Sequence, residues 1–210
     1  MTGFALPRLI LPALAIFVAV TGLTGCGSSS FTGKDTRNKM IVSVRDQKML
    51  LVRDGTPVKA YDISTSKFGI GDRPGSNCTP LGRLQVAKKI GDNAPMGSVF
   101  KSRRPTGEVL KPNAPGRDPI VTRILWLTGT ESRNQNTFRR TIYIHGTPEE
   151  RRLGSPASYG CIRMGSKDVA DLYNRVGAGA DVFVIRGSIQ SDKVNQASVM
   201  VGKPASRSRG

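Results

Sequence analysis

Three short apolar runs fill residues 40–65, MIVSVRDQKMLLVRDGTPVKAYDIST, and they are separated by Asp46-Gln47 and by Asp54-Gly55. Asp-Gly is a hairpin signal because both positions tolerate the positive φ of a tight two-residue turn. Runs this short between such turns predict an antiparallel meander. The pattern recurs in LGRLQVAKKI (81–90), PIVTRILWLTG (119–129), TIYIHG (141–146) and DVFVIR (181–186), the last expected to close the sheet. In TIYIHG, alternation puts Ile142 and Ile144 on one face and Tyr143 and His145 on the other. With 24 glycines and 13 prolines in 210 residues, turns and short strands are favoured over long helices.

One helix is expected in SKDVADLYNRVGAG (166–179). Ser166 reads as the N-cap, Asp168 sits in the first turn, and Gly177 supplies the stop. Val169, Leu172, Tyr173 and Val176 recur at helical spacing, a stripe that packing on a sheet explains. The stretch from Gly91 to Pro119 holds repeated Pro and Gly and reads as a partly ordered flap over a site.

The length suits one domain with a sizeable core plus terminal extensions. At the N-terminus, Arg8 precedes the uncharged run LILPALAIFVAV (9–20) and then TGLTGCGSSS. This is the layout of an export signal, and the apolar run is short for a membrane span. LTGC (23–26) resembles the lipobox of bacterial lipoproteins, in which the cysteine is acylated after cleavage. The expectation is a signal peptide over 1–25, a lipidated tether over 26–39 anchored to the membrane through Cys26, a folded domain over 40–187, and a flexible basic tail over 188–210. That places the domain outside the cytoplasm, facing periplasm or cell wall.

Lys and Arg outnumber Asp and Glu by 32 to 15, a net charge of +17. The excess favours anionic neighbours. It is scattered, however, and lacks the aromatic–basic motif of an RNA-binding sheet, so no nucleic-acid partner is expected.

The chain has one histidine, His145, and three cysteines, Cys26, Cys78 and Cys161. One His and two Cys without paired spacing do not make a usual zinc set, so no metal and no cofactor is expected. A cysteine attacks as thiolate and wants a base or a positive charge nearby. If the chain is a Cys–His enzyme, His145 is its base. Cys161, in SYGCIRM, is the better nucleophile: Gly160 allows a sharp turn that exposes an amide as an oxyanion donor. Arg163 adds charge that favours thiolate or holds a carboxylate. The bland alternatives are a small packing thiol and a hydrogen-bonded surface histidine.

IHGTPEERRLGSPASYGCIRM resembles the signature of the YkuD-type L,D-transpeptidase catalytic domain: His-Gly, a gap of some fifteen residues, then Ser/Thr-His-Gly-Cys, an apolar residue and Arg or Asn. His145, Gly146, Ser158, Gly160, Cys161, Ile162 and Arg163 carry the match. Upstream, Ser64 to Gly82 resembles the family's S-T-G…T-P-x-G region, and the likeness spans about Met40 to Arg186. The resemblance implies a mainly β, sandwich-like fold with one or two short helices and a cysteine site in a groove. It implies attack by Cys161 on a tetrapeptide stem of peptidoglycan, release of D-alanine, and transfer of the thioester to a second stem. His145 would be the base, the amides around Tyr159, Gly160 and Cys161 the oxyanion hole, and Ser158 and Arg163 would orient the site or the stem carboxylate. Tyr159 departs from the pattern, which usually has a second histidine there, and leaves substrate contact open at that position. Water as acceptor (an L,D-carboxypeptidase), a protein lysine as acceptor, or an idle wall-binding lipoprotein are the alternatives. Cys78 has three readings: packing thiol, substrate contact, or disulfide partner of Cys161 in an oxidising compartment.

Overall fold

The meander is present in the computed structural model, which describes Met1, Gly3 and residues 33–189. β1 (Asn38–Ser43), β2 (Lys48–Arg53) and β3 (Thr56–Ser64) run antiparallel in chain order. Asp54 and Gly55, at φ 50° and 82°, form the left-handed turn between β2 and β3. Then come β4 (Gly82–Ile90), β5 (Ser98–Lys101), β6 (Arg104–Val109), β7 (Ile120–Gly129), β8 (Tyr143–Gly146), β9 (Ile162–Met164), α1 (Ser166–Arg175) and β10 (Asp181–Ile185). The sheet order is β4, β10, β1, β2, β3, β9, β8, β7, and a further β4–β7 pairing joins these eight strands into a ring. The β5–β6 hairpin extends from the start of β7. Of the pairings between these strands, two are parallel, β1–β10 and β8–β9.

Alternation along the strands builds the core. Met40 and Val42 of β1, Met49 and Leu51 of β2, Leu125 and Leu127 of β7, and Ile144 of β8 point into one buried cluster. Val169, Leu172, Tyr173 and Val176 join the same cluster, so the helical stripe does pack on the sheet. The opposite face of β1 and β2 contributes Ile41 and Val52 to a smaller cluster with Ile185 and Ile189. Among the described residues the fold is mainly β with one α-helix, as the sequence implies.

The helix ends differ from expectation. Ser166 is the first helical residue and Gly165 holds the N-cap position. The cap comes from outside: Glu150 Oε1 accepts the Ser166 amide at 2.7 Å, and its charge also suits the positive end of the helix dipole. At the far end Val176 is already extended, and Lys89 Nζ donates to the carbonyls of Tyr173 and Val176, each at 2.8 Å. The stop is therefore a lysine and a change of backbone rather than a left-handed glycine.

Two other expectations are refined. The stretch from Gly91 to Pro119, which reads from sequence as a partly ordered flap, carries the β5–β6 hairpin between two irregular segments. The folded part also starts before Met40. Asp35 is buried and accepts four hydrogen bonds, from the amides of Arg37, Asn38 and Gly177 and from Asn38 Nδ2. At the other end, the Ile189 amide donates to Asp46 Oδ2 at 2.6 Å. The expected signal peptide, Cys26, and residues 190–210 of the tail lie outside the described residues.

Replacing Asp35 by alanine strands three backbone amides, two of them buried. Denaturant unfolding should show a loss of roughly 2–4 kcal/mol. A loss under about 0.5 kcal/mol would mean that the segment ahead of Met40 is a tether after all.

Candidate active site

The site is built on the β8–β9 seam. The parallel register pairs Ile144 with Ile162 and His145 with Arg163. Tyr143 therefore stands level with Cys161, the residue just before β9, and its amide donates to Cys161 Sγ at 3.4 Å. Residues 147–161 make the crossover that parallel strands require. This crossover is fastened to the end of β3: Gly154 donates to the Ile63 carbonyl, and Ala157 and Ser158 both donate to that of Thr65.

A tight turn presents the cysteine. Ser158 Oγ donates to the Cys161 carbonyl at 2.6 Å and accepts the Gly160 amide at 3.2 Å. Gly160 has φ 118°, and a Cβ there would lie 3.2 Å from Ile142 Cδ1 and 3.3 Å from the Cys78 carbonyl. Conformation and space both demand glycine. Ser158 thus shapes the turn, and it occupies the Gly160 amide that the sequence suggested as an oxyanion donor. The amides of Tyr159 and Cys161 take no protein acceptor among the described residues.

His145 is 5% exposed. Its Nδ1 lies 2.8 Å from the Gly146 carbonyl. A carbonyl only accepts, so Nδ1 carries the hydrogen and Nε2 keeps its lone pair. Gly146 is small for a reason: a Cβ there would meet the Val121 carbonyl at 2.6 Å. His145, Ser158, Tyr159, Cys161 and Arg163 line one cavity of about 170 Å³, with Asp118 and Ile120 completing it.

Burial holds both reacting groups neutral. It pushes the Cys161 thiol up to about 11, against the Tyr143 amide and the charges of Arg140 and Arg163. It pushes the His145 imidazole down to about 4, against the Gly146 carbonyl and Asp118. The pair therefore rests as thiol and imidazole, and Arg163 does not make a thiolate. Arg163 is 3% exposed, ion-paired with Asp118 and, at 3.3 Å, with Glu149. It braces the seam through these pairs, while its Nε takes no partner among the described residues.

Tyr159 is 64% exposed. Its hydroxyl accepts from Lys67 Nζ at 2.9 Å, and its ring packs on Phe68 at 5.3 Å between centroids. Lys67 lowers the phenol's pKa, by its hydrogen bond first and its charge second. Cys78 and Cys161 are free thiols. Cys78 Sγ turns to the carbonyls of Phe68 and Ser76, and Cys161 Sγ to that of Thr141, so no disulfide joins the two.

Asp118, Glu149 and Arg140 escaped the sequence reading. Arg140 ties the wall together, donating to the Gly71 carbonyl, Asp72 and the Cys78 carbonyl. Asp118 carried the one usable signal, a carboxylate at the start of a strand in a chain with few acids.

The L,D-transpeptidase catalytic domain family, of the YkuD type, matches residues 37–185. Among solved structures, the chain is similar to an L,D-transpeptidase from Mycobacterium tuberculosis, with 20% identity, 71% of this chain and 58% of that one covered, and a TM-score of 0.47. The corresponding values are 18%, 71%, 58% and 0.45 for an L,D-transpeptidase from Mycobacterium smegmatis. They are 17%, 73%, 62% and 0.47 for one from Xylanimonas cellulosilytica. The chain spans about three fifths of the length of these structures. No curated protein sequence gives a significant match.

The depressed imidazole has a consequence for stability. Between pH 6.5 and about 4 the unfolded chain binds a proton at His145 that the native state refuses. Stability should therefore rise with pH across that window, by roughly 3 kcal/mol from this residue. Unfolding free energies measured from pH 4 to 7 should be flatter for His145→Gln by that amount. Equal slopes in the two proteins would contradict the buried neutral imidazole.

Proposed function

Because the chain belongs to the YkuD-type L,D-transpeptidase catalytic domain family, we propose that it cross-links peptidoglycan stem peptides through a thioester on Cys161. One observation carries this reading. The only histidine is locked by Gly146 with Nε2 as the lone-pair nitrogen, in the same cavity as Cys161.

The steps follow from the resting state. As Cys161 Sγ attacks the carbonyl ahead of the terminal D-alanine, His145 Nε2 takes the thiol proton. The amides of Tyr159 and Cys161 are the donors available to the oxyanion. The C–N bond then breaks, its nitrogen takes the proton from His145, and free D-alanine leaves. The amine of a second stem attacks the thioester, His145 receives the amine's proton, and Cys161 leaves and is reprotonated. A new amide bond replaces the one broken. Gly146 acts throughout by holding the ring, and Ser158 by holding the turn.

Tyr159 points its hydroxyl at Lys67, outside the base position, so its place in the signature concerns the cavity mouth. We further propose that the domain works outside the cytoplasm on a lipid anchor at Cys26, supported by the LTGC sequence and the apolar run before it.

Disaccharide-tetrapeptides incubated with the protein and read by mass spectrometry test the reaction. The expected product is a dimer lacking one D-alanine, absent with Cys161→Ala and slowed at least about 100-fold by His145→Ala. D-alanine release without dimer would make water the acceptor. Undiminished turnover in Cys161→Ala would overturn the mechanism.

A further inference from the structure

Beside the reaction cavity lies a second one of about 250 Å³, lined by Asn77, Arg139, Arg140, Ile142 and Tyr159 together with Pro74 and Gly75. Tyr159 belongs to both cavities. Ile142 also lies directly beneath Gly160, next to the nucleophile. No carboxylate lines this second cavity, while two arginines do. Their states differ. Arg140 is buried and ion-paired with Asp72 at 3.1 Å, so its charge is already answered. Arg139 is exposed and makes no ion pair among the described residues. One uncompensated guanidinium therefore lines a polar cavity that shares Tyr159 with the cavity of Cys161.

We propose that this cavity is a carboxylate subsite, in which Arg139 pairs with the terminal carboxylate of the D-alanine that the reaction releases. The inference rests on the cross-linking reading and names the residue that recognises the leaving group. With the scissile carbonyl over Cys161, one further residue carries its carboxylate about 3.3–3.6 Å along the chain, and the second cavity shares Tyr159 with the one that holds Cys161. The chemistry agrees, since guanidinium matches carboxylate in a two-pronged contact. Arg163, the arginine of the signature, is already ion-paired with Asp118 and Glu149, whereas Arg139 has no ion pair among the described residues.

The test pairs two donors, tetrapeptides ending in D-alanine or in D-alaninamide, with wild-type protein, Arg139→Gln and Arg139→Lys. Release of the terminal residue and the acyl-enzyme mass are followed together. In the wild type, amidation should cost about tenfold to a hundredfold in kcat/KM, mainly through KM, because the carboxylate is present in ground and transition states alike. Arg139→Gln should lose the same factor on the acid and nothing further on the amide, and Arg139→Lys should recover part of it. An amidation penalty that persists undiminished in Arg139→Gln would overturn the subsite while leaving the reaction intact. Absence of acyl-enzyme in the wild type with both donors would overturn the cross-linking reading, and the subsite with it.

Discussion

The parallel pairing of β8 with β9 sets everything else in the site. The two strands have four and three residues, too few to hold a register by themselves. Burial holds it: Ile144 and Ile162 sit opposite each other in the core, both fully buried. A slip of one residue would turn those isoleucines outward and swap the faces of every neighbour. With the register fixed, His145 is bound to stand beside Arg163, and Cys161 beside the Tyr143 amide. The crossover stapled to the end of β3 then has one way to close, through the Ser158 and Gly160 turn that lifts the thiol into the cavity.

Electrostatics follow from that packing. Five charged groups stand around the seam, and each arginine near the sulfur already has a carboxylate partner, Asp72 for Arg140 and Asp118 with Glu149 for Arg163. Their residual pull on the thiol is weaker than the cost of burying a thiolate, so desolvation wins at Cys161. The same contest at His145 ends the same way, although the Gly146 carbonyl and Asp118 both favour the imidazolium. A resting site with two neutral partners needs the base at the moment of attack and not before. Oriented Nε2 is what the geometry supplies.

Much of the fold was legible because alternation and turn chemistry are local. The Asp54-Gly55 turn, the two faces of TIYIHG and the stripe of α1 all stand where pattern places them. The helix cap was not legible, since Glu150 reaches Ser166 from sixteen residues upstream and a local rule sees only Ser166. Nor was the true start of the folded part, for Asp35 earns its burial from Gly177, far along the chain. Within the site, scarcity singled out His145 and Cys161. The duties of Arg163 and Ser158 were obscured because a motif gives residue types and not partners. Nothing in the motif shows that Asp118 and Glu149 pair with Arg163.

The pH dependence of Cys161 alkylation tests the neutral resting pair most directly. With Cys26 and Cys78 replaced by serine, iodoacetamide should report on Cys161, and its rate should climb with pH through about 8 to 10 without levelling, as expected of a thiol whose pKa is pushed up to about 11. A rate that reaches its plateau below about pH 7 would reveal a preformed thiolate paired with imidazolium, and would contradict the account of a proton moved by His145 only as the bond to sulfur forms.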